Sequence, residues 1–536
     1  MPLSKKLTKF TACPLDCFDG CKVEYNDGIC KPSNDYITNG KLCRLFGYLN
    51  NEKNIIDKDL DNTLKKVVSK LKEQNQKVLY YKGSGNMGVM QHIPKKFFEK
   101  IGATFAVGST CEASGEVGIQ RGRKYNVNPT IEQLQQSEVI LVWGKNFTKT
   151  SNHIYNLIKD KIFITIDPVK TQIASKSDIF LQIPPKGDYL LCEVLQKALD
   201  KKNIDKNDLD LLNITQEQLD NTIKLLTTKK VSVMLGIGAQ KYKQGADIFH
   251  EMDKVFDKLN LFETKNNGVW YLSDSAYPFD NKIATTPTNT TTYADIKFDD
   301  FDIVFIQGAN PVVSSPNTSY VIDSLKNTFV IYMGIVENET SKYADIIIPA
   351  KTFLQKKDVR LTYSHDEIRY CEVCEENDNA VSEYELTKYL YEQFDFDGLL
   401  SEDEYLDCFK TIKYDKPDIK FKPYDTKEVK LLKLEDDEFY LLTSKSINTI
   451  NSQFKYDEYA YIHPKHGFKD EQFINISSKI SQIDIKVKND KRVFPNSILI
   501  YAGNKQVNIL TSNELSHCKT NATFQDIKLK VKLDLK

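Results

Sequence analysis

Cysteines near the start of the chain are the residues best placed to do chemistry. Cys13, Cys17 and Cys21 stand at C-x3-C-x3-C spacing in CPLDCFDGC, and Cys43 follows after a loop rich in Gly, Asp and Asn. Three thiols on one loop, with a fourth returned by a turn, can reach the corners of one iron–sulfur cube. Each would bind as thiolate, because the metal withdraws the proton. Cys30 falls between them, but nothing in the spacing requires it. A four-cysteine zinc knuckle and a set of buried thiols are the alternatives. Zinc sites usually come as two C-x2-C to C-x4-C pairs, and the second pair is missing here. The spacing thus predicts a four-thiolate metal site.

Other candidates are weaker one by one. The turn Gly83-Ser84-Gly85-Asn86 follows a strand-like run, and glycines there let backbone N–H groups approach a phosphate. The turns Asp167-Pro168 and Pro185-Lys186-Gly187-Asp188 are small and acid-bearing, which suits a large polar ligand carrying pyrophosphates. No G-x-G-x-x-G is followed by a suitable acid, so an NAD site is not supported. Cys111, in VGSTCEASGEVG, lies among small residues and is open to a ligand, although a lone Cys is more often a small buried hydrophobe. Cys371 and Cys374 form a CxxC without partner thiols, and His463 and His466 flank a Pro that takes them off a common helical face.

These residues need elements to position them. Leu64, Val67, Val68 and Leu71 predict a surface helix over Asp61–Lys72. Beyond it, short β-branched or aromatic runs end in Gly, Pro, Asn or Ala: KVLYYKGSGN, VILVWGKN, IFITIDP, VSVMLGIG, DIVFIQGANP, TFVIYMG and ADIIIPA. Helical stretches follow most of them, which predicts parallel α/β sheets with ligands beyond the carboxyl ends of the strands. The pattern repeats before and after about Lys230, suggesting two related lobes. After a charged crossing at 397–437, EFYLLT, FINIS, IDIKVK, SILIYAG and IKLKVKLDL are short apolar-rich runs, several of them alternating apolar and polar residues. They predict a β-barrel-like C-terminal domain. The expected organisation is a small iron–sulfur domain at 1–58, interleaved α/β lobes at 59–396, the crossing at 397–437 and a β domain at 438–536.

Composition excludes some classes. In 536 residues, Lys+Arg 73 against Asp+Glu 74 leaves a formal charge of −1, so no global field recruits nucleic acid or acidic lipid. The 11 cysteines fit no disulfide framework. No apolar run is long enough for a membrane helix, and no signal peptide or twin-arginine motif is visible. The expectation is a cytoplasmic protein, peripheral to a membrane only through a partner.

The chain resembles a molybdopterin-dependent oxidoreductase of the dimethyl-sulfoxide-reductase superfamily, which includes formate dehydrogenases, nitrate reductases and polysulfide reductases. CPLDCFDGC with Cys43, GSGNMG, GSTCEASGEVG, VWGKN, IDPVKT, SDIFLQIPPKGD, IQGANPVVSSP, SKYADIIIPAKTFLQ, NSQF and VNILT occur in the family's order over nearly the whole chain. The resemblance implies a [4Fe-4S] cluster on Cys13, Cys17, Cys21 and Cys43, and a bis-molybdopterin guanine dinucleotide holding Mo or W. It implies that Cys111 ligates that metal. It assigns Asn86, Gly144, Asn146, Asp167, Thr171, Gly187 and Asp188 to one dinucleotide, and Gly308, Asn310, Ser315, Asn451, Gln453 and Asn508 to the other. It further implies two-electron, often oxygen-atom, transfer to a small substrate. Electrons would pass to a ferredoxin-like iron–sulfur partner, with a membrane anchor subunit as a further partner. Departures stand beside it. Arg44 and Leu45 follow Cys43 where relatives place a Lys two residues on, and Glu112 follows Cys111 where formate dehydrogenases have His. The chain is also shorter than many catalytic subunits. A non-catalytic subunit that keeps the fold without the metal is the alternative.

Overall fold

The computed structural model describes residues 8–15, 17–49, 54–83, 88–110, 113–126, 128–262, 268–271, 283, 285–362, 364–410, 419–446 and 456–533. Two parallel sheets dominate it. One has five strands in the order Gly268–Tyr271, Val231–Leu235, Val139–Trp143, Ile162–Ile166, Ile179–Leu181. The other has six, in the order Thr290–Thr292, Thr104–Val107, Val78–Lys82, Ile303–Gln307, Phe329–Gly334, Ile346–Pro349.

Both faces of each sheet are buried, and the strand sequences show why. Val139, Leu141 and Trp143 enter one apolar cluster while Ile140 and Val142 enter another. Tyr80, Ile303 and Phe305 likewise separate from Leu79, Tyr81, Val304 and Ile306. A strand with helices on both sides has no solvent face, so it reads as a continuous apolar run. The expected surface helix is present as Leu60–Leu71, burying Leu64, Val67, Val68 and Leu71.

The division between lobes does not fall at Lys230. Val231–Leu235 pairs in parallel with Val139–Trp143 and so belongs to the same sheet as the strands before it. The six-stranded sheet instead combines strands from either side of that unit, Val78–Lys82 beside Ile303–Gln307. The five-stranded lobe is thus an insertion within the six-stranded one.

At the N-terminus, Lys9–Ala12, Lys22–Asn26 and Ile29–Pro32 form an antiparallel sheet. Its second turn is Asp27-Gly28, both at positive φ (48° and 81°), the conformation a tight hairpin requires. The strand Arg369–Cys371 lies against the first strand of this sheet, with Glu372 N donating to Phe10 O at 2.8 Å.

Residues 419–433 run as an irregular segment, tied to the helix Gly245–Lys258 by Tyr424 N donating to His250 Nε2 at 2.9 Å. The chain then closes a six-stranded barrel in the order Glu438–Leu442, Ser497–Ile500, Tyr459–Ile462, Gln482–Asn489, Phe473–Ser477, Lys528–Leu533. Alternation along Gln482–Asn489 sends Ile483, Ile485 and Val487 inward. Among the described residues no helix is long and apolar enough to cross a membrane.

Candidate functional site

In each parallel sheet the strand order reverses at one place, and there the backbone opens a crevice. In the five-stranded sheet the reversal lies between Val139–Trp143 and Val231–Leu235, and in the six-stranded sheet between Val78–Lys82 and Ile303–Gln307. The two crevices have the same construction. Gly236 N donates to Trp143 O, and Gly83 N to Gln307 O, both at 2.8 Å. A Cβ on Gly236 would collide with Gly144 O, and one on Gly83 with Gly308 O. Gly144 and Gly308 turn out of their strands at φ 61° and 55°, a region that favours glycine. Asn146 and Asn310 then cap the short helices Phe147–Thr150 and Pro311–Ser314 with closely similar backbones, ψ 64° and 66°.

The crevices open into one cavity of about 1210 Å³, larger than the ~300–1,000 Å³ usual for a small-ligand pocket. Its wall is polar at the strand ends. Asp167 and Asp188 both face it. Burial raises the Asp167 carboxyl from 3.8 to about 7, a Val169 N–H opposes the shift, and the neighbouring Asp188 adds to it. Burial raises Asp188 to about 6 against the Trp143 Nε1–H bond that favours its charged form. These buried carboxylates suit N–H donors from a ligand. Lys82, Lys95, Lys145, Lys241 and Arg492 add positive charge to the same wall.

The cysteine loop borders this cavity through Pro14 and Phe18. Lys145 Nζ, itself on the cavity wall, sits 3.4 Å from the Phe18 ring centroid. Cys13 and Cys21 are buried, Cys17 and Cys43 half-buried, and Cys13 N donates to Cys21 O at 2.9 Å. Burial pushes the Cys13 thiol up to about 12, with Arg360 opposing the shift and Cys43 adding to it. Burial also raises Cys17 and Cys21, and for Cys21 the neighbours that add to it are Cys17, Cys13, Asp19 and Cys43. The thiols are thus within electrostatic reach of one another, and as thiolates they require bound positive charge. Cys30 packs against the same apolar cluster, yet its charge neighbours differ: burial and Glu375 raise it, and the thiol that feels it is Cys374. The CxxC thus has a neighbouring thiol that its spacing did not foretell. His463 accepts from Lys465 N in a turn, as a residue of an ordinary turn would.

One smaller ligand set shares the loop. Asp19, Cys21 and His153 bring ligand atoms within 4.8 Å of one another. Asp19 is already committed, accepting from the N–H groups of His153 and Ile154 at 3.1 and 3.2 Å.

The model of the family described as molybdopterin oxidoreductase matches residues 61–393, which span both crevices. The chain belongs to the molybdopterin oxidoreductase family. It is 22% identical over 422 residues to a probable oxidoreductase, YyaE, of Bacillus subtilis (strain 168), covering 65% of this chain and 63% of that one. It is 42% identical over 334 residues to the assimilatory nitrate reductase catalytic subunit of the same organism, covering 48% of this chain and 45% of that one. The chain thus spans about half to two thirds of the length of these relatives. The fold matches that of acetylene hydratase from Pelobacter acetylenicus with a TM-score of 0.75 at 12% identity, over 98% of this chain and 100% of that one.

Against that family the placement of each expected residue can be stated. Gly144, Asn146, Asp167, Thr171 and Asp188 line the cavity from the five-stranded lobe, and Gly308 and Asn310 from the six-stranded one. Asn508 lines it from the barrel, donating to Val313 O at 2.6 Å. Gly187 lies behind the wall as the cap of the helix Asp188–Leu199, and Ser315 is a core hydroxyl 3.3 Å from Tyr81 Oη. Asn86, Cys111, Asn451 and Gln453 lie outside the described residues. The strand leading to the turn of Asn86, Val78–Lys82, belongs with Gly308 rather than with Gly144, because it pairs with Ile303–Gln307.

The residues present fit a pterin dinucleotide. Two glycine-backed crevices admit two extended ligands, the buried carboxylates suit the N–H donors of guanine or pterin, and the wall cations suit phosphates. Gly236, Lys145 and Lys241 were not foreseen. Gly236 stood in VSVMLGIG as a strand end, and only its closeness to Gly144 shows its purpose.

Proposed function

We propose that this chain is a molybdopterin-dependent oxidoreductase that moves two electrons, often with an oxygen atom, between a small substrate and a Mo or W centre. That centre would be carried by two pterin guanine dinucleotides, and one [4Fe-4S] cluster on Cys13, Cys17, Cys21 and Cys43 would relay electrons singly to a ferredoxin-like partner. The observation that carries this reading is the shared wall: Pro14 and Phe18 of the cysteine loop line the same cavity as the glycines of both crevices. When bound, the pterin-held metal supplies the two-electron chemistry.

The chain's own residues bind and orient. Gly83, Gly144, Gly236 and Gly308 let backbone approach the ligand, and Asp167 and Asp188 accept its N–H groups. Cys111 is assigned as the metal's protein ligand through the family resemblance. Its neighbour on one side, Thr110, lines the cavity, and the helix Ala113–Arg123 opens just beyond it.

A subunit that keeps the fold without the metal has one observation in its favour. Leu45, 7% exposed, packs with the cysteine loop where relatives place a basic residue between cluster and pterin. The two buried carboxylates on the wall of the glycine-backed crevices oppose it. The test is anaerobic purification from a host that makes the pterin. About four irons and one Mo or W per chain are expected, with reduction or oxidation of a redox dye by a small substrate. Iron without Mo, W or pterin would establish the non-catalytic reading instead.

A further inference from the structure

The charges around the cysteine loop do not balance with the residues named so far. Four residues, Arg360, Ser364, His365 and Arg369, grip the loop by its carbonyl groups. Arg360 Nη2 donates to Leu15 O, Ser364 Oγ to Phe18 O at 2.5 Å, and Arg369 Nε to Gly20 O at 3.3 Å, while His365 Nε2 meets Asp19 O at 2.9 Å. Most of this grip is electrically quiet. Arg369 is paired with Asp35 and Glu367, at 3.1 and 3.0 Å. Burial lowers His365 to about 4, so it is neutral at pH 7.

Arg360 differs. It is 2% exposed, its Nε and Nη1 meet no acceptor, and no carboxylate pairs with it among the described residues. Asp358, on the same strand, is spent elsewhere, accepting from Met90 N at 3.0 Å and Val359 N at 2.8 Å with Lys356 at 3.9 Å. Arg360 is not part of the cavity wall either, so a ligand there would not neutralise it. A buried guanidinium with two unmet donors and no counter-charge is costly and calls for an anion. The groups that feel its charge are the thiols Cys13 and Cys371.

We propose that Arg360 is a positioning residue for the cluster, balancing the charge of the thiolate-bound iron–sulfur cube and giving its two spare N–H donors to the cluster's sulfurs. This rests on the cluster assigned above. On reduction the cluster gains one electron from a chemical reductant, no bond forms or breaks and no proton moves, so the site gains one unit of negative charge. A fixed cation nearby stabilises the reduced form more than the oxidised form and raises the potential, and hydrogen bonds to sulfur act in the same direction.

The test uses anaerobically purified full-length holoprotein: the native chain, Arg360→Gln, Arg360→Lys and Arg369→Lys. Iron content is measured, and the cluster is titrated with dithionite and followed by electron paramagnetic resonance. Arg360→Gln is expected to keep its iron and to titrate at a lower potential, its reduction constant falling about tenfold. Arg360→Lys, which keeps the charge with fewer donors, should fall between it and the native protein. Arg369→Lys should lose thermal stability and leave the potential unmoved. An unchanged potential in Arg360→Gln overturns the proposal, as does an equal fall in Arg369→Lys, which would reduce Arg360 to part of the grip. Should Arg360→Gln lose its iron, Arg360→Lys decides: an iron-bearing variant of lowered potential supports the proposal, and loss of iron there or a native potential refutes it. A native protein without iron removes the cluster itself and, with it, this role.

Discussion

Asp167 shows how a single side chain at the cavity can be read by pH. Its folded carboxyl titrates near 7 instead of 3.8 because burial disfavours its charge. The folded state therefore bears no penalty below the unfolded value, a growing one as pH rises toward 7, and the full one above it. In protein freed of cofactor, Asp167→Asn should raise stability at pH 8 by on the order of 2–4 kcal/mol, a gain that shrinks as pH falls toward 5. Thermal melts at pH 8, 6 and 5 measure this, and a pH-independent difference would count against it. With cofactor bound the sign should reverse, because Asn keeps one acceptor oxygen and sets an NH2 donor where the other met the ligand's N–H groups. The thiols allow a sharper comparison. Cys17 is in electrostatic contact with Cys13 and Cys43, whereas Cys30 lies beside Cys374 and Glu375. Cys17→Ala should abolish the cubane absorption and Cys30→Ala should spare it. Equal loss in both would show that the ligand set is wrong.

At the scale of elements, the crevices depend on glycines that admit no methyl group. Gly236→Ala would drive its Cβ into Gly144 O, forcing the strands Val139–Trp143 and Val231–Leu235 apart at their ends. Overpacking of this kind costs about 1–3 kcal/mol, so the lobe should still fold while the cavity is deformed. Pterin content, read by fluorescence after oxidative release, should fall strongly, and iron content should stay at the native level. The strands themselves were legible in the sequence, because VILVW and DIVFIQ are apolar runs buried on both faces. Thr104–Val107, Ile179–Leu181, Gly268–Tyr271 and Thr290–Thr292 were not read. They are only three or four residues long, Thr290–Thr292 and Gly268–Tyr271 are edge strands, and TTT carries no apolar pattern. Tyr459–Ile462 in the barrel, YAYI, lacks the run of Ile and Leu that marks the equally short Ser497–Ile500. The cysteine loop stands out by thiol spacing alone, whereas the residues that grip it, Arg360, Ser364, His365 and Arg369, do not. Their contacts join residues some 340 positions apart, such as Arg360 with Leu15 at a separation of 345, and no local pattern records such a pairing.

For the whole molecule, the barrel acts as a brace across the cavity. It touches the five-stranded lobe where Phe494 N donates to Pro168 O at 3.0 Å, and the six-stranded lobe where Asn317 N donates to Thr511 O at 2.9 Å. Between these contacts, Lys186 Nζ meets Asp526 at 2.8 Å, both side chains at most 5% exposed, and Asp526 also accepts from Lys243 N at 2.9 Å. A buried pair of this kind adds little net stability, yet losing one partner leaves a buried charge uncompensated at a cost of about 3–5 kcal/mol. That cost falls at the docking surface rather than in either core. Lys186→Met should therefore loosen the barrel from the lobes before the lobes unfold. Limited proteolysis should then cut within 419–437, the segment that connects them, and bound pterin should leave during gel filtration. The double variant Lys186→Met, Asp526→Leu removes both charges and should recover much of the protease resistance, because an apolar pair of similar volume packs where the ions stood. A Lys186→Met protein that keeps its cofactor and resists protease as the native chain does would show that the barrel is not what holds the cavity closed.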